Sequence, residues 1–94
     1  MLSIWKYNVE PAAAKQILMV PEEAEILSCG MDAYGVPSIW VLLDTDAPAV
    51  PREYYVVGTG WDLSFMNDHT SSLMFIGTIK DDSYMWHVFV GDES

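Results

Sequence analysis

The stretch Tyr54-Tyr55-Val56-Val57-Gly58-Thr59-Gly60-Trp61 ends an apolar run in a glycine pair and a tryptophan. Glycines at a strand end hold phosphate when a helix N-terminus follows, because free N–H groups and the helix dipole then point at the anion. Here Asp62-Leu63-Ser64-Phe65 follows with no lysine, and Leu63 stands where a dinucleotide fingerprint needs its third glycine. The pattern reads better as a strand-ending corner, where glycine takes a left-handed backbone or lets another group come close. A ligand reading stands beside it. Gly58, Thr59 and Gly60 would offer backbone donors and Trp61 a stacking face for a nucleotide signal, provided that Lys6, Arg52 or Lys80 converges on them.

Nucleophilic and metal chemistry have few candidates. Cys29, His69 and His87 are the only soft ligands, and their spacing matches no zinc motif. Cys29 would need a histidine and an orienting group beside it in space, and the sequence indicates neither. His87, within "MWHVF", is expected to pack or hydrogen-bond in a sheet; His69 reads as a solvated loop residue and Cys29 as a small buried apolar one. The expectation is a protein that is not an enzyme and uses no metal or cofactor.

The carboxylates are more numerous. Asp44 and Asp46 could hold a divalent cation, but EF-hand spacing is missing. Asp81-Asp82 reads as turn chemistry, and Asp92-Glu93 as a solvated tail. Trp5, Trp40 and Trp86 fall in apolar strands and read as core. Trp61 sits in a loop with Asp62, Phe65 and Met66 close behind. It reads either as an exposed partner anchor or as a cap over an open end of the fold. The candidate partner-binding set is Trp61, Asp62, Phe65, Asp68, Asp44 and Asp46.

These residues must be positioned by a small fold. Ninety-four residues make one domain, 1–94, and 51% hydrophobic with 13% aromatic residues suffices for a core. Four basic residues face fourteen acids, a net charge of −10. That balance disfavours direct nucleic-acid binding. It keeps an apolar domain soluble, and it suits contact with a basic surface on another protein. A single cysteine fits a reducing cytoplasm. No signal peptide or membrane span is visible.

Short apolar runs between turn residues predict an all-β fold of about seven strands, a small antiparallel sandwich or partly open barrel. The strands fall at 2–9, 15–20, 24–31, 38–45, 53–59, 73–80 and 84–91. "EPAAA" (10–14) turns, "DTDAPAVPR" (44–52) is a loop, and 60–72 is the longest irregular segment. A short helical turn fits 10–15 or 62–68. Residues 24–31 and 38–45, and again 73–80 and 84–91, read as hairpins. "IWVLL" lacks polar alternation and predicts a central strand with both faces buried. Strands 2–9 or 84–91 could serve as edges that pair with a second copy.

The motifs "IWKYNV", "PEEAEILSC", "IWVLLDTDAP", "YYVVGTGW", "FIGTIK" and "WHVFV" together resemble, nearly end to end, a family of short proteins found largely in bacteriophages and prophages. Members show an Ile-x-Lys-Tyr opening, a Leu-Trp-x-Leu-Val-Asp-Pro centre, a Gly-Thr-Gly, a Tyr-Ile-Gly-Thr and a closing Trp-His-Val-Phe. Thr45 here replaces the central proline and Phe75 the tyrosine, and 65–72 is irregular. The resemblance implies a mobile-element origin and a compact β fold, with Gly58, Thr59 and Gly60 in the fold's signature, and supplies no catalytic residues. Taken with size and charge, it makes the leading expectation a cytoplasmic, non-enzymatic interaction protein, an acidic inhibitor of a host defence nucleoprotein complex of the anti-CRISPR kind. The alternatives are an oligomeric module that sequesters a nucleotide signal, and a minor virion or assembly component.

Overall fold

The computed structural model describes residues 1–66 and 72–93. Seven strands run β1 (Leu2–Asn8), β2 (Gln16–Pro21), β3 (Glu25–Met31), β4 (Pro37–Asp44), β5 (Ala49–Gly58), β6 (Met74–Asp81) and β7 (Tyr84–Glu93). A 3-10 turn at Ser64–Met66 is the helical element among the described residues. The strands form two antiparallel sheets, β1-β4-β3 and β2-β5-β7-β6. The sandwich is therefore open, as one of the two predicted architectures has it, and the two expected hairpins, β3–β4 and β6–β7, both form. The thinnest extent of the molecule, 15 Å, leaves room for two layers and the side chains between them.

That interlayer is the core. From the three-stranded sheet come Ile39, Val41 and Leu43; from the four-stranded sheet come Val20, Tyr54, Val56, Ile79, Val88 and Val90. Each is nearly or fully removed from water, worth about 1.5–3 kcal/mol per large aliphatic chain. The sheets draw together along β3 and β6, where a Cβ on Gly77 would stand 3.0 Å from Cys29 Sγ. β1 and β2 are left as edges on the opposite side.

Several expectations change. The loop at 44–52 ends early, because β5 begins at Ala49 and includes Pro51. Proline is tolerated there since β5 at that point pairs only with β2; its ladder to β7 starts at Arg52. No helical turn forms at 10–15. Asp92 and Glu93 belong to β7, with Glu93 opposite Arg52, and are not a tail. β7 lies between β5 and β6, so it is no edge. β4 is central in its sheet, yet its outer residues Trp40 and Leu42 are only half-buried. Trp5, on edge strand β1, is 44% exposed and not core. A bulge between Ile26 and Ser28 shifts the register of β3, so that Ile26, Cys29 and Met31 all pack against the interior.

Arg52 is the main departure from a purely apolar interior. Its side chain shares the inner face of β5 with Tyr54 and is buried. Its Nε donates to the Gly91 carbonyl at 2.7 Å and its Nη1 to the Ala24 carbonyl at 3.0 Å. One guanidinium thus ties β7 to the entrance of β3, linking the two sheets. Arg52→Met is expected to leave both carbonyls without these donors and to lower stability by about 2 kcal/mol or more. A urea midpoint equal to that of the unmodified protein would refute this role.

A second polar lock closes the β3–β4 hairpin. The Asp32 carboxylate accepts from Lys6 Nζ at 2.8 Å, Tyr34 N at 2.8 Å and Val36 N at 2.9 Å. The Lys6 hydrogen bond, then the Val36 amide, holds the Asp32 carboxyl below the usual aspartate range. A lowered folded-state value means that this stabilisation is complete above the unfolded value, near pH 3.9, and is lost as pH falls through the lowered one. Asp32→Asn is therefore expected to lose less stability than the unmodified protein when acidified from about pH 5 to about pH 2.5, read by urea titration at each pH.

Candidate functional site

The Gly-Thr-Gly corner ends β5 at a turn in which Trp61 N donates to the Gly58 carbonyl at 3.3 Å. Each glycine there has its own reason. Gly60 has φ +86° with open space around it, so its need is conformational. Gly58 is a contact glycine: a Cβ would lie 2.7 Å from Trp61 Nε1 and 3.1 Å from Trp86 Cζ3. The indole of Trp61 therefore lies on bare backbone. Thr59 Oγ1 is 2.7 Å from His87 Nε2, and Thr78 Oγ1 is 3.0 Å from His87 Nδ1. His87 thus pins the corner to β6, a structural hydrogen-bonding role within the sheet.

Gly58 pairs with Trp86 across the β5–β7 ladder, which brings the corner against the start of β7. Trp61 meets Trp86 edge to face, with centroids 5.6 Å apart and planes at 69°. Tyr84 stacks on Trp86 at 5.5 Å and 8°. Trp86 Nε1 donates to Asp81 Oδ2 at 3.3 Å. Trp86 packs against the edge of the core, whereas Tyr84, two residues earlier on the same strand face, is 63% exposed. Gly58, Thr59, Trp61, Ser83, Tyr84 and Trp86 line a cleft of about 350 Å³.

The five described residues of that binding set, Trp61, Asp62, Phe65, Asp44 and Asp46, do not lie together. Trp61 covers Gly58 and Trp86 yet stays 37% exposed, so it is both a cap and an accessible ring. Asp62 is exposed, but its Oδ1 accepts from the backbone and hydroxyl of Ser64, which holds its carboxyl below the usual range. Phe65 is half-buried, 5.9 Å from Tyr55, in a second apolar cluster with Met66, Leu63 and Leu73 over the outer face of the four-stranded sheet. It is a packing residue and not a free anchor. Asp44 and Asp46 lie at the β4–β5 connection, at the other end of β5 from Gly58, and bind the Met1 ammonium at 2.9 and 3.0 Å. That contact holds the Asp44 carboxyl below its ordinary range. Asp68 and His69 lie outside the described residues.

The cations that a phosphate ligand would need do not gather at the corner. Arg52 is buried six residues back along β5, about 20 Å away. Lys6 is engaged by Asp32. Lys80 follows the inward-facing Ile79 and so points to the opposite face of its sheet. Cys29 is half-buried, and that burial raises its thiol pKa, which disfavours the thiolate. Among the described residues no three His, Cys, Asp or Glu side chains are grouped to hold a metal ion, and no helix is long and apolar enough to cross a membrane.

Sequence reasoning reached Gly58–Trp61 but passed over Tyr84 and took Asp81 only as turn chemistry. The stacking spacing of Tyr84 and Trp86, two apart on a strand, was the available signal; the pairing that sets them beside Trp61 is non-local.

Gly58→Ala is expected to displace the Trp61 indole, shift tryptophan emission and cost about 1–3 kcal/mol. Gly60→Ala is expected to cost about 1–2 kcal/mol through backbone strain alone and leave the emission maximum unchanged. Equal emission changes in both variants would contradict the contact role of Gly58.

The chain belongs to a family described as a domain of unknown function (DUF7352), which matches residues 1–94. No curated protein and no solved structure matches it.

Proposed function

We propose that this chain is a non-enzymatic interaction protein that binds a basic surface on another protein. The observation that carries this reading is how the charge is disposed. Fourteen acids face four basic residues, and three of those four are engaged within the fold: Lys6 with Asp32, Lys15 with Glu53, and Arg52 in the interior. Little positive charge is left to offset the acids, so the outer surface attracts cations and repels phosphate. Trp61, an accessible aromatic with Asp62 beside it, anchors that contact in this reading, and Phe65 supports the loop from behind.

The mobile-element origin implied by the sequence resemblance sharpens the partner to a host protein that handles nucleic acid, as in an anti-CRISPR inhibitor. The acidic surface would occupy the groove that the nucleic acid needs. The nucleotide-sequestering alternative is weaker, because the corner lacks converging cations.

Affinity capture with the tagged protein from a nuclease-treated host lysate at about 0.15 M salt, followed by elution near 1 M salt, tests the reading. A stoichiometric basic protein released by salt is the expected result. No retained partner, or one indifferent to salt, would refute it.

A further inference from the structure

Resting on that reading and making it more specific, we propose that the cleft between Trp61, Tyr84 and Trp86 receives the guanidinium of an arginine side chain from the basic partner. The cleft is walled by aromatic rings on two sides. Tyr84 and Trp86 stack on each other and form one wall, and Trp61, at 69° to Trp86, forms the other. Ring faces carry negative quadrupole charge and attract a cation placed over them. Trp86 Nε1 donates to one oxygen of Asp81, which holds that carboxylate beside Trp86, a lining residue of the cleft, with further acceptor capacity. Asp82 follows in the turn, and no basic side chain lines the walls. The site therefore selects a cation by charge.

Shape then favours arginine over lysine. A guanidinium is planar and weakly hydrated, stacks on aromatic faces and matches a carboxylate with paired donors. An ammonium is compact and strongly hydrated, and flat π surfaces with one flanking acid do not replace its water well. The bare backbone of Gly58 lets the Trp61 indole lie down against it, which sets the position of the Trp61 wall. Tyr84, mostly in water, supplies the open stacking face.

The test uses two blocked peptides of equal charge, one of alternating glycine and arginine and one of alternating glycine and lysine. Each is titrated into the whole protein while the indole N–H resonances are followed. The expected result is movement of the Trp61 and Trp86 indole signals, with the arginine peptide bound about fivefold more tightly than the lysine peptide. Tyr84→Ala, at an exposed position that the core does not need, is expected to weaken arginine-peptide binding more than lysine-peptide binding, so that the preference is lost. Asp81→Asn should weaken arginine binding similarly. Equal binding of both peptides, insensitive to Tyr84→Ala, would overturn the arginine cleft while leaving the broader acidic-surface reading intact. Failure of both peptides to bind would overturn both.

Discussion

The two sheets are separate hydrogen-bonded ladders, so the fold depends on what lies between them. Apolar side chains from β4, β5, β7 and the flanking strands fill that space, but van der Waals packing alone is non-directional. Arg52 adds direction. By donating to Gly91 and Ala24 it fixes β7 against the start of β3 at one end, while Cys29 and Gly77 draw β3 and β6 together along one side. At the far end no such hydrogen bond is seen among the described residues. There the inner face of β7 continues past the core through Trp86 to Tyr84, and Trp61 folds down to cover part of what is left.

Local chemistry was readable from the sequence. Turn residues between apolar runs located seven strands and two hairpins, and the Gly-Thr-Gly corner was legible because a glycine pair at a strand end has few physical uses. Non-local geometry was not. A period of two cannot anticipate the bulge between Ile26 and Ser28, or that between Phe75 and Gly77, because an extra residue in one strand leaves no composition signal. Pro51 looked like a breaker, and only the late start of the β5–β7 ladder makes it acceptable within a strand. Arg52 closed the segment that read as a loop, so nothing in the sequence marked it as interior.

The candidate site shows the same division. Trp61 was visible as an unusual loop aromatic, but whether it was cap or anchor depended on Gly58 and Trp86, which become neighbours only when β5 and β7 pair. Phe65 follows Trp61 by four residues, and yet the two rings go to opposite faces of the four-stranded sheet. The acids divide similarly: Asp44 and Asp46 satisfy the N-terminal ammonium at one end, while Asp62 and Asp81 brace turn and indole at the other.

The open side of the sandwich has a colloidal consequence. β1 presents Leu2, Ile4 and Trp5 along a free edge, and Ile17 and Met19 project from β2, the other edge on that side. Such strands are templates for a neighbour's backbone. What holds two copies apart is mutual repulsion between like-charged bodies, with a reach of about 10 Å at 0.1 M salt and about 3 Å at 1 M. Ionic strength therefore sets the distance over which that repulsion acts.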